Sequence, residues 1–369
     1  MTNPLVALGQ LGQSPWYDFI TRELIRSGEL ARLIREDGLL GMTSNPTIFE
    51  KAVAGSSDYD GDIRAAMAKG GSAAEAFEAL AVADVQAACD AFRPVWDGKK
   101  NGDGTVSLEV SPTLAHDTAG TVAEAKRLWE RVARPNVMIK IPGTKAGLPA
   151  IEECLASGIN VNVTLLFSVE RYLEVVEAFF KGVERRVAAG HTVDRLCSVA
   201  SFFVSRVDGQ ADAALDKQGD KGAALRGKIA IANAALAYQA FEQKFAGPRW
   251  EALRTKGAQL QRPLWASTST KDPKLPDTYY VEALAAPHTV NTLPPETFNA
   301  YRDHGAPKAA IATAIAAAAG QLTQLQGLGI DLAAITAFLE TDGVQKFAAS
   351  YQSLLTRIDA KAGSLTGSA

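Results

Sequence analysis

Short apolar runs alternating with longer helical patterns organise this chain. Strand-like runs cover residues 15–20, 39–44, 105–110, 137–142, 159–167, 196–205, 263–267 and 288–293. Between them, apolar residues recur at every third and fourth position, which predicts helices over 21–37, 118–133, 168–190 and 225–246. Strands separated by helices pair in parallel through crossovers, and eight such units close a (β/α)8 TIM barrel. An open doubly wound sheet is the alternative, but no glycine-rich dinucleotide fingerprint follows the first strand. A helical insertion fills 45–98 after the second strand, with one long helix over 73–96. Two further helices follow at 306–322 and 335–361. Without an internal repeat or interior linker, residues 1–369 are expected to form a single barrel domain. The small-residue stretch 362–369 reads as disordered or as the start of a linker.

Alternation within the strands assigns faces, since successive side chains point to opposite sides of a sheet. In the run VMIKIP, Val137, Ile139 and Ile141 share one face, which leaves Lys140 on the other, near the C-terminal end where barrels keep their chemistry. The same rule turns Ser107 and Glu109 inward in TVSLEV, and Asn160, Asn162 and Thr164 inward in INVNVTLL. Asp18 opposes the face of Tyr17 and Phe19. A barrel built for stability alone favours aliphatic layers inside, and a buried ion-pair network often stabilises less than apolar packing of equal volume. A lysine among apolar walls has its charged form disfavoured, and the neutral amine is a nucleophile toward carbonyl groups. Asp18 and Glu109 are then placed to move the protons that such chemistry requires.

Composition narrows the partners. The chain has 369 residues, 47% hydrophobic and 21% charged, with a formal net charge of -3. It has no basic run, so it carries no electrostatic footprint for nucleic acid or an anionic membrane, and small polar metabolites fit better. Cys89, Cys154 and Cys197 are widely spaced in apolar patterns and read as reduced core residues. No secretory signal pattern opens the sequence and no apolar stretch is long enough to span a membrane, so a cytoplasmic location is expected. His116, His191, His288 and His304 share no metal-ligand spacing and read as structural or surface residues.

The segments GMTSNPTIF (41–49) and VMIKIPGTKAGLPAIEECLASGINVNVTLLFS (137–168) resemble the two signatures of the transaldolase family, in its longer bacterial branch within the class I Schiff-base aldolases. The order Asp18, TSNP, SLEVSP, Lys140, NVTLLFS, SFFVSR also matches, over nearly the whole chain. The resemblance implies a (β/α)8 fold, no cofactor and no metal. It implies transfer of a dihydroxyacetone unit in the non-oxidative pentose phosphate pathway. The donors are sedoheptulose 7-phosphate or fructose 6-phosphate, and the acceptors glyceraldehyde 3-phosphate or erythrose 4-phosphate. By the same resemblance Lys140 forms the Schiff base, Glu109 moves protons through a water held with Thr164, and Asp18 takes the proton from the C4 hydroxyl. Asn45 and Asn162 bond the hydroxyls of the held fragment, and Thr43 and Ser107 line the pocket. Asn45, just before Pro46, also suits a purely structural turn, and Ser107 could simply make room in the barrel.

At the phosphate end the resemblance places Ser201 and Arg206, with Phe203 facing the Schiff-base region. Shorter family members have an arginine where Ser269 stands, so Ser267 with Lys271 is the expected second phosphate contact, Lys271 acting as a point charge. Two rival functions stay open. One is a fructose 6-phosphate aldolase-like lyase, whose members carry tyrosine at the position of Phe203 and glutamine at that of Glu109. The other is a non-catalytic sugar-phosphate-binding barrel. The sequence leaves homo-oligomer formation open.

Overall fold

The computed structural model describes residues 3–99 and 102–366. At its centre eight parallel strands close a barrel in chain order: β1 Gln13–Tyr17, β2 Gly41–Met42, β3 Thr105–Glu109, β4 Val137–Pro142, β5 Val161–Leu166, β6 Ser198–Phe203, β7 Gln261–Ala266 and β8 Thr289–Leu293. Each strand-like run of the sequence supplies one strand, and β8 pairs with β1 to complete the (β/α)8 barrel. Amphipathic helices such as Thr118–Val132 and Val169–Ala188 cover the outside, whereas Ile229–Lys244 is buried on nearly all sides because the helix Ile311–Gly327 packs over it. The pattern at 21–37 divides into two helices, Arg22–Arg26 and Glu29–Glu36. Gly28 between them adopts φ +83°, a left-handed conformation that interrupts the helix and that glycine tolerates without a Cβ penalty.

The insertion folds as Pro46–Gly55, Asp60–Ala68 and Ala73–Gly98, the last opened by a reciprocal capping box between Ser72 and Glu75. Ile311–Gly327 and Leu332–Thr366 form the two C-terminal helices. The tail expected to be disordered is instead helical through Thr366. Its Ala362 is buried and extends the helix's inward face; the last three residues lie outside the described ones. No single helix among the described residues is long and apolar enough to cross a membrane. The three cysteines are free and buried, and the four histidines are exposed.

Polar and aromatic groups, not aliphatic layers alone, fill the barrel axis. At its base Arg262 donates to Ser14 Oγ and to Asp103 Oδ1, both at 2.8 Å, in a buried ion pair. Above it lies the fully buried Trp16, whose indole abuts β2 so closely that a Cβ on Gly41 would come within 2.5 Å of the ring. That contact explains the glycine. Asp18, two residues beyond Trp16 and on the same face, opens into the C-terminal mouth.

Candidate active site

Strand register builds the site. Lys140 pairs with Glu109 across β3–β4 and with Asn162 across β4–β5, so three adjacent strands put these side chains in one layer. Lys140 is 5% exposed, with its Nζ 3.3 Å from Glu109 Oε2 and donating to the Ser44 carbonyl at 3.2 Å. Burial pushes the Glu109 carboxyl up to about 7, with the Lys140 charge offsetting part of that cost. Asp18 is shifted upward for the same reason and in the face of the same charge. One amine therefore sits among two acids whose proton affinities burial has raised, an arrangement suited to proton exchange.

Hydrogen bonds orient Asp18. Thr43 Oγ1 donates to Asp18 Oδ1 at 2.6 Å and lies 2.6 Å from Thr292 Oγ1. A hydroxyl has one proton to give, so Thr292 donates to Thr43 and Thr43 to the carboxylate. Asn45 uses its side-chain oxygen to cap the helix Pro46–Gly55 through Ile48 N at 3.0 Å, which leaves its amide nitrogen for the cleft. The structural and pocket-facing readings of Asn45 are thus compatible. Ser201 donates to Asn162 Oδ1 at 2.7 Å, and Asn162 donates to Ser107 Oγ at 2.9 Å, so a buried relay forms the floor. The Thr164 hydroxyl is buried without a hydrogen-bond partner among the described residues. It precedes a bulge in β5 where Leu165 takes φ +61°.

A cleft of about 490 Å³ opens over this layer. Of the residues expected from the sequence, Asp18, Thr43, Asn45, Lys140, Thr164, Ser201, Phe203, Arg206, Ser267 and Lys271 line it. Ser107 and Asn162 lie beneath it. Glu109 borders a separate, mainly apolar cavity of about 40 Å³, in which Ser44, Asn45, Ser111 and Glu124 are among the polar lining residues. Asn160 is not in the site: it turns its amide to the carbonyls of Pro135 and Val137 and so ties the lower ends of β4 and β5. The inward face assigned to it holds only from Val161 onward, where β5 begins.

Cations gather at one side of the cleft. Arg206, in the first turn of the helix Ser205–Leu215, lies over the Phe203 ring at 5.1 Å, and its Nη1 is buried with no hydrogen-bond partner among the described residues. Ser267, at φ +56°, shares a 2.9 Å hydroxyl contact with Ser205, and Lys271 Nζ donates to Ser269 Oγ at 2.8 Å. Sequence reasoning missed Thr292, Lys51, Glu296 and Phe347, which also border the cleft. Among the described residues no group of three or more His, Cys, Asp or Glu side chains converges as a metal site would.

A barrel that buries one lysine against a carboxylate at its C-terminal mouth has the build of a class I aldolase. Comparison with known proteins agrees. Residues 15–358 match the family model described as Transaldolase/Fructose-6-phosphate aldolase. The chain is 53% identical to a transaldolase of Acidothermus cellulolyticus, over 97% of this chain and 96% of that one. It is 49% identical to a transaldolase of Thermobifida fusca, over 97% and 98% of the two chains. A protein named transaldolase 2, from a Nostoc species, is 44% identical over 97% of each. The chain belongs to the transaldolase/fructose-6-phosphate aldolase family.

Proposed function

We propose that this enzyme is a transaldolase that carries a dihydroxyacetone unit on Lys140, from sedoheptulose 7-phosphate or fructose 6-phosphate to glyceraldehyde 3-phosphate or erythrose 4-phosphate. The observation that carries the reading is the buried Lys140 amine, 3.3 Å from Glu109 and at the mouth shared with Asp18. Lys140 passes a proton to Glu109 and attacks the ketose carbonyl at C2. The adduct's nitrogen gives a second proton to the new alkoxide, and Glu109 returns its own, through a water beside the free Thr164 hydroxyl, to the resulting carbinolamine hydroxyl, which leaves as water and yields the iminium. Asp18 then takes the C4 hydroxyl proton, the C3–C4 electron pair moves toward the iminium, and the aldose departs. An acceptor aldehyde reverses these steps. The Asn45 amide and the Ser201–Asn162–Ser107 relay hold the fragment's hydroxyls, while Arg206, assisted by Ser267 and Lys271, binds the phosphate. A cytoplasmic location belongs to the same proposal, in keeping with three reduced cysteines.

The family model spans both transferases and lyases, and Phe203 favours transfer. It is buried against Phe167, ring centroids 5.2 Å apart, and offers no proton to the held enamine, so the fragment waits for an aldehyde. Incubation with fructose 6-phosphate and erythrose 4-phosphate should yield sedoheptulose 7-phosphate and glyceraldehyde 3-phosphate. Fructose 6-phosphate alone should release free dihydroxyacetone far more slowly; release near the transfer rate would sink the assignment.

The pH profile provides a further check. Glu109 accepts the lysine proton only as a carboxylate, so with its carboxyl at about 7, kcat/KM should rise as pH increases through that region. Glu109→Gln should abolish this limb and lower kcat by about 10²-fold or more. An unchanged limb in the variant would assign it to another group.

A further inference from the structure

Among the described residues, Phe347 is the one side chain that the helix Leu332–Thr366 contributes to the cleft lining, and the proposed chemistry gives it no task. Its ring is 5% exposed, yet it packs against two cations: Lys140 Nζ lies 5.8 Å and Arg206 Cζ 5.9 Å from its centroid. Arg206 also lies over Phe203 at 5.1 Å, so two aromatic faces converge on one guanidinium. A half-buried guanidinium ordinarily finds a carboxylate or carbonyl. Here Nη1 has no partner among the described residues, and Asp342, the nearby acid on the same helix, is paired with Lys346 at 2.7 Å. The rings thus orient the cation without occupying its donors.

Several contacts fix the helix over the barrel mouth. Glu340 pairs with Arg171 at 3.2 Å, Thr47 donates to Ser350 at 2.9 Å, and Lys361 pairs with Asp60 at 2.6 Å. Gly343 sits so near the strained Leu165 that a Cβ would come within 3.0 Å of its side chain. The helix thus meets the β5 bulge that presents Thr164 one turn before Phe347.

We propose that Phe347 is a positioning residue for phosphate recognition: with Phe203 it holds the Arg206 guanidinium at the cleft wall, toward the substrate phosphate, which makes docking of the C-terminal helix a condition of binding phosphorylated sugars. This rests on the assignment of Arg206 to phosphate. It differs from simple packing, because packing needs only an apolar side chain of similar size, whereas the proposed role needs a π face.

The test is the apparent Kd for inorganic phosphate, read by thermal-shift titration of the full chain, so that it does not depend on turnover. Phe347→Leu keeps an apolar side chain in the helix contact but removes the ring, and should weaken phosphate by roughly tenfold. Phe347→Tyr should stay near the wild-type value. In an Arg206→Ala background, Phe347→Leu should have little further effect, since both changes remove one interaction. The proposal is overturned if Phe347→Leu leaves the Kd unchanged, if Phe347→Tyr loses as much as leucine, or if the two losses multiply. If Arg206→Ala itself leaves the Kd unchanged, the phosphate assignment fails first, and the inference with it.

Discussion

Replacing Lys140 with methionine is expected to abolish transfer, with kcat reduced on the order of 10⁴-fold or more, because the covalent route disappears with the amine. Lys140→Arg should be equally inactive. It keeps a positive charge opposite Glu109, but a guanidinium that stays protonated is no nucleophile. The pair of variants separates charge from nucleophilicity: activity retained in the arginine variant would mean that Lys140 serves only to neutralise Glu109. Both proteins should fold. Glu109 is shifted up to about 7 by burial and can take up a proton when its partner is lost, which limits the cost of an uncompensated buried charge. Steady-state kinetics together with circular dichroism checks both statements.

Asp18→Asn should separate the two halves of the reaction. The amide keeps the size of the side chain and can still accept from Thr43, but it cannot take the C4 hydroxyl proton. We expect kcat to fall by about 10²- to 10⁴-fold, the range typical for loss of a general base. Schiff-base formation does not call on Asp18, so borohydride should now trap the intact six-carbon fructose 6-phosphate on the enzyme rather than a three-carbon fragment. A three-carbon adduct formed at the wild-type rate would remove Asp18 from carbon–carbon cleavage.

Why some of these residues are legible in the sequence and others are not has a physical basis. Lys140, Glu109 and Thr164 stand out because each interrupts an apolar alternation that leaves one face unambiguous. β8 carries polar residues on both faces, Thr289 and Asn291 on one and Thr292 on the other, so alternation cannot single out Thr292. Its role emerges only from the 2.6 Å approach to Thr43. Phe347 carries still less signal, since a phenylalanine at helical spacing reads as core. Only the folding of a helix some 140 residues beyond Arg206 back across the barrel brings the two together. The Arg262–Asp103 pair at the barrel base is hidden likewise, being made between residues on β7 and on the loop before β3. The eight strands were recoverable because strand length and helical period differ so clearly here; the break at Gly28 and the helical continuation to Thr366 depend on local conformation and on docking that periodicity does not encode.

The most direct measurement is borohydride trapping of the wild-type enzyme with fructose 6-phosphate, followed by peptide mass analysis. A nucleophilic amine held beside Glu109 and Asp18 predicts a reduced three-carbon unit attached to the peptide that contains Lys140, and none in Lys140→Met. An unmodified chain, or the same mass gain on a different lysine, would contradict the account.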